Sequence, residues 1–115
     1  MPFYTFNQNN SGGSFDVDPA DGISHFVIIE ANSADAANDK AKRIGLYFNG
    51  VDDGRDCECC GDRWCSAWRD DGTENPDVYG KHPSDHRDIF VTDKPHTFVH
   101  YADGRIESFS NPPTE

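Results

Sequence analysis

All four cysteines of this chain fall within nine residues of GRDCECCGDRWCSAW, Gly54 to Trp68, and both tryptophans lie there too. Cys57 and Cys60 form C-x-x-C followed by Gly61. That is the form of one half of many zinc sites, because a turn of this length aims two sulfurs at one point. Backbone amides at the glycine, with Arg55 or Arg63 beside them, would offset the thiolate charge. Zinc takes four ligands, and no second C-x-x-C exists. The remaining donors are therefore Cys59, Cys65 and a histidine brought from elsewhere. Successive side chains diverge, which makes Cys59 the least favoured of the four. His96 and His100 lie four apart and share a side if that segment is a strand. His82 and His86 have the same spacing in a proline-flanked loop.

Two other readings of the cluster compete with zinc. Free thiols packed in a turn need no ion. A redox C-x-x-C usually opens a helix after a strand, which lowers the thiol pKa. Here Gly61 and the Asp71–Gly72 pair enclose only a short segment. We expect structural zinc held among Cys57, Cys59, Cys60, Cys65 and His100. Trp64 and Trp68 are four apart and would share a face if Asp62 to Arg69 made one or two helical turns. They either cap a small core beneath the metal turn or, if exposed, anchor a partner, with Arg63 orienting a carboxylate or phosphate.

These residues need a scaffold, and 115 residues suffice for one domain with a modest core. PFYTFN (Pro2 to Asn7) reads as a first strand and HFVIIE (His25 to Glu30) as a central one. Between them NQNNSGGS is a polar turn that lacks the lysine of a phosphate-binding loop. Asp16, Asp18 and Asp21 approach a calcium pattern, but Ala20 breaks its register. Ser33 offers an N-cap to ADAANDKAKRI, in which Ala34, Ala37, Ala41 and Ile44 form one narrow apolar stripe. Asp35 opens this helix, Lys42 and Arg43 close it in keeping with its dipole, and Gly45 ends it.

LYFN (Leu46 to Asn49) is expected as a short strand or edge, and IFVT (Ile89 to Thr92) as a strand. TFVHY and RIESF, joined by Ala-Asp-Gly, make the clearest hairpin, with Gly104 free to take a positive φ. The fold class that follows is α+β. It consists of a small antiparallel sheet with one packed helix, and an irregular Cys-rich, zinc-pinned lobe inserted at about 50–80. Residues 1–110 form the single domain, and 111–115 form a flexible tail.

The net charge of −11 repels nucleic acid and anionic lipid and attracts basic partners. Lysines and arginines are scattered, with only Lys40, Lys42 and Arg43 clustered, so nucleic acid is not an expected partner. No apolar run reaches the ~20 residues of a membrane span. MPFYTFNQNN lacks the basic start and apolar core of a signal peptide. A soluble protein of a reducing cytosol is expected, where disulfides are rare.

Three segments recur together elsewhere: YTFNQNNSGGSF, GRDC-x-CCGDRW and VHY-x-DGRIE. With the HFVIIEA–helix–GLYF stretch between them, the chain resembles a family of small uncharacterised proteins encoded by tailed bacteriophages. The resemblance covers most of the chain. It implies a phage gene product in the host bacterial cytoplasm and carries no catalytic residues with it. In relatives the position of Cys65 is often not cysteine, which moves weight to Cys57, Cys59, Cys60 and a histidine such as His100. The expected function is a non-enzymatic, acidic, zinc-stabilised binding module that engages or inhibits a bacterial host protein. The alternatives are a small-ligand or nucleotide-binding protein or enzyme, with His25, His96 and His100 lining a pocket beside Arg63 or Arg105, and a virion component.

Overall fold

A computed structural model describes residues 1–9, 15–56, 58 and 61–111. Four strands, β1 (Phe3–Asn7), β2 (Phe26–Glu30), β3 (Thr97–His100) and β4 (Ile106–Phe109), lie side by side in that order. One helix, α1 (Ala34–Ile44), follows β2. The sheet is mixed rather than antiparallel throughout. β1 pairs antiparallel with β2, and β3 with β4, but β2 and β3 run parallel with Phe26 opposite Thr97 and Ile29 opposite His100. The chain is thus two antiparallel pairs joined along a parallel seam. Such a seam needs a long crossover, and everything from Ala31 to His96 supplies it.

Alternation along β2 explains why the FVII of HFVIIE is apolar without a break. Val27 and Ile29 enter a core with Tyr4, Phe6, Ala34, Ala37, Ala41, Leu46 and Trp64. Phe26 and Ile28 enter a second core on the opposite face with Phe3, Val78 and Val99. A strand buried on both faces has no polar side to show. The alanine stripe keeps α1 close to β2. Ser33 Oγ accepts from Ala36 N at 3.1 Å, a cap whose loss costs about 1 kcal/mol. At the other end Gly45 takes φ +123°, and Leu46 N donates to Ala41 O at 3.0 Å.

Two expected strands are absent among the described residues, and the helical turns that would put Trp64 and Trp68 on one face do not form. Leu46 to Asn49 forms no strand; Leu46 is drawn into the helix-side core and Phe48 stacks on Phe6 at 5.9 Å. Ile89 to Thr92 is a bend because Asp88 Oδ1 accepts from Phe90 N (2.8 Å) and Val91 N (3.1 Å), so neither amide is left for a ladder. Trp64 to Trp68 is not helical, since Asn38 on α1 clamps Ala67 through both its N–H (2.7 Å) and its carbonyl (3.0 Å). Only a 3-10 turn at Arg69–Asp71 follows. The described part of the 50–80 lobe is otherwise irregular, as expected, yet it lends Trp64 to one core and Val78 to the other.

Candidate metal centre and the cavity beside it

The loop between Lys81 and β3 carries the most unusual chemistry. Pro83–Asp85 forms a 3-10 turn that His82 caps, its ring accepting from Ser84 N at 3.2 Å. The turn delivers His86 to the end of the sheet. Two residues on, Asp88 is clamped by Asn111, which accepts from Asp88 N at 2.6 Å and donates to Asp88 O at 2.8 Å. Asn111 belongs to the segment expected as tail; here it is a structural bracket. His96 arrives at the start of β3, tied by its N–H to Phe109 O (2.8 Å) and by its carbonyl to Phe26 N (3.0 Å). One histidine is thus set by the sheet, while the other and the carboxylate are set by a turn and a clamp.

His86, Asp88 and His96 each bring one ligand atom within 4.8 Å of the others. His86 Nε2 stands 3.7 Å from Asp88 Oδ2, and the two imidazole rings meet edge to face at 5.1 Å. The Asp88 side chain is 1% exposed, that of His86 15%, and His96 is fully buried. Both His86 Nε2 and His96 Nε2 are buried without a hydrogen-bond partner among the described residues. A buried polar atom left unpaired costs about 1–3 kcal/mol, so two side by side call for an explanation. A cation supplies one: two imidazoles and a carboxylate are a donor set that suits zinc and similar divalent metals. Tetrahedral zinc would place its ligand atoms about 3.3 Å apart, so the group needs only a modest contraction. His96 Nδ1 lies 2.6 Å from Thr97 Oγ1. With that nitrogen as donor, Nε2 is the ligand, and the ring is oriented from behind as metal-bound histidines are.

Electrostatics favour the ligating protonation states. Burial pushes the His96 ring below its ordinary value and the His86 ring adds to this, while Asp88 and the His86 backbone oppose it. Burial acts to raise the Asp88 carboxyl, but the Phe90 and Val91 amides and the His25 ring outweigh it and hold it below its ordinary value. His25 Nδ1 contacts Asp88 Oδ2. Its own pKa is lowered because burial outweighs the carboxylate's pull. The pair is therefore a neutral imidazole donating Nδ1–H to an ionised Asp88. That carboxylate keeps lone pairs toward His86.

On the other side of His25 lies a cavity of about 400 Å³ lined by Asn7, Gln8, Asn9, Phe15, His25, Tyr79 and Phe90. Among the described residues no lysine, arginine or carboxylate lines it. Phe15 contacts His25 at 4.5 Å and Phe90 at 5.3 Å between ring centres. Gln8 is fully committed: its Nε2 donates to Asp16 O and Ser24 O, and its Oε1 accepts from Asp16 N and from Arg63.

Over residues 1–114 the sequence matches a family described as a domain of unknown function (DUF7296). The chain belongs to that family. No curated protein and no solved structure matches it.

The residues singled out from sequence divide unevenly around this geometry. Cys57, Cys59 and Cys60 lie outside the described residues. Cys65 is exposed, with a free thiol. His100 is buried, but Nε2 donates to Gly22 O at 2.8 Å. It therefore locks a turn and lies outside the His86–Asp88–His96 group. Trp64 is 2% exposed and fills the helix-side core, so the surface-anchor option closes for it. Trp68, at 74%, remains exposed. Arg63 is turned inward: its guanidinium donates to Gln8 Oε1 at 2.8 Å and faces Asp16 and Asp56. It braces the lobe. No helix among the described residues is long and apolar enough to cross a membrane.

Asp88 and the pairing of His86 with His96 were missed. The signal was present as His86-x-Asp88 with His96 eight residues later, but one aspartate among 21 acidic residues does not stand out.

Proposed function

We infer that this chain is a metal-pinned, non-enzymatic binding module in which His86, Asp88 and His96 hold zinc. The observation that carries the reading is the convergence of His86, Asp88 and His96, with two buried imidazole nitrogens that make no hydrogen bond of good geometry among the described residues. Zinc there would tie the loop at His86 and Asp88 to the start of β3 at His96. Ile89 and Phe90 directly follow Asp88 and are 77% and 59% exposed, so the same ion would fix how that loop meets a partner. The −11 charge suits a basic surface, and the phage-like sequence motifs make a bacterial host protein the natural partner. Elemental analysis of the purified chain and of His96→Ala tests the core of this reading. One zinc equivalent present in the first and lost in the second supports it; equal zinc in both refutes it.

A second reading rests on the number of donors. Structural zinc is closed by four protein ligands, whereas catalytic zinc keeps a position for water or substrate, and the described group supplies three. A cobalt-substituted protein separates the two. A visible spectrum that moves on adding a small anion shows an open position and favours a ligand-binding or hydrolytic centre. An unmoved spectrum favours the closed, structural one.

A further inference from the structure

We propose that Phe109 to Asn111, the segment that closes β4, is the template that holds all three donors of the metal centre in register, with Asn111 as a positioning residue for the metal. This rests on the zinc reading of His86, Asp88 and His96 and adds the part of the chain that controls it. Each donor is tied to the segment by a different contact. His96 donates its backbone N–H to Phe109 O at 2.8 Å. Asp88 has both its N–H (2.6 Å) and its carbonyl (2.8 Å) engaged by the Asn111 amide. His86 follows the 3-10 turn at Pro83–Asp85, and the ring of His82, which caps that turn, meets the Phe109 ring edge to face at 5.4 Å.

Two constraints set the Asp88 carboxylate, and they do different things. Oδ1 accepts from Phe90 N and Val91 N at 2.8 and 3.1 Å, which orients the carboxylate within its own loop. With Oδ1 so engaged, Oδ2 is the oxygen turned to His86 Nε2, 3.7 Å away. That local turn does not fix where the loop sits against the sheet. Asn111 does: it ties the Asp88 backbone to the same strand end that ties His96. The distance between a loop donor and a strand donor is therefore set by Asn111. Groups that hold metal ligands from behind govern affinity by about 10–100-fold. The coupling is reciprocal, so whatever factor Asn111 adds to zinc affinity, zinc adds to the docking of Asn111.

The test compares the full chain with Asn111→Ala, Ser110→Ala and His96→Ala. Each is measured by chelator competition for zinc, by the visible spectrum with cobalt, and by melting in excess chelator. Asn111→Ala should bind zinc about 10–100-fold more weakly and shift the cobalt spectrum, because Asp88 is no longer held in place. Ser110→Ala, an exposed neighbour on the same segment, should match the unaltered chain in both. A measurement that needs no variant is hydrogen exchange at the Asp88 N–H, which donates to Asn111 Oδ1. Saturating zinc should slow it at least about tenfold more than the Phe3 N–H, which bonds Thr73 O on the far edge of the sheet. A purely structural bracket would lower the melting temperature in chelator and leave zinc affinity and the cobalt spectrum unmoved. That result, or equal slowing at the two amides, overturns the proposal while the zinc reading stands. Zinc that fails to bind the unaltered chain, or that binds His96→Ala equally well, removes the zinc reading and this proposal with it.

Discussion

Substitution of His96 by alanine should abolish zinc stabilisation while leaving a folded chain. In the metal-free protein two buried imidazole nitrogens make no hydrogen bond of good geometry among the described residues, at up to about 1–3 kcal/mol each. Coordination satisfies both. With free zinc at about 100 times Kd, linkage adds about 2.7 kcal/mol to folding. At roughly 4 °C per kcal/mol for a domain of this size, the wild-type Tm should rise by about 10 °C over a chelator-treated sample. His96→Ala should rise by no more than a degree or two, because removing the fully buried donor leaves one imidazole and one carboxylate. His100→Gln is the control. His100 is equally interior but spends its nitrogen on Gly22, so its zinc shift should match the wild type. Scanning calorimetry with and without zinc reads all three. The reasoning is refuted if His96→Ala keeps the full shift, or if Cys57→Ser alone removes it, since the donors would then lie in the cysteine cluster.

Three further expectations follow from named contacts. Gly22→Ala places a Cβ 2.6 and 2.7 Å from the His100 ring at φ +71°, and a loss of about 2 kcal/mol or more in urea melts is expected; a neutral result would mean that the Gly22 turn can shift freely. His100 lies below its ordinary value of 6.5, chiefly through burial, with the Gly22 carbonyl opposing. The unfolded chain therefore gains a proton that the folded one refuses, and stability held above pH 6.5 is lost as pH falls. His100→Gln, which keeps an N–H for Gly22, should flatten part of that decline, and an unchanged pH slope in urea melts would contradict it. Tyr101 is pushed up to about 12, first by its hydrogen bond to Glu107 at 2.6 Å and then by burial. Ultraviolet titration of Glu107→Gln should show this phenol ionising closer to 10.

The parts of the fold governed by local rules were legible. Ser33, the alanine stripe and Gly45 specify α1 through capping and periodicity, and Gly104, with φ +95°, specifies the final turn. The parallel seam was not legible, because nothing in HFVIIE or TFVHY says which edge it will meet or in which direction. IFVT has strand composition, yet Asp88 takes its amides; a single side chain overrides the pattern. Trp64 and Trp68 have helical spacing, yet Asn38, 29 residues from Ala67, takes the Ala67 N–H that a helix would need. The candidate site suffered in the same way. Its donors come from a 3-10 turn, a clamped aspartate and a strand start, three pieces brought together only by tertiary contacts.

The direction of β2 against β3 also bears on how the molecule is made. Phe26 and Ile28 sit on a strand whose partner is separated from it by most of the chain, and contacts of that sequence separation close slowly. While the chain is being synthesised, β1, β2 and α1 emerge with the β3 edge of β2 still open. An apolar strand edge in that state is a template for pairing with another copy. The C-terminal hairpin therefore acts as a late-arriving cover, and chains truncated before Thr97 should associate edge to edge even though the first half of the sheet is present.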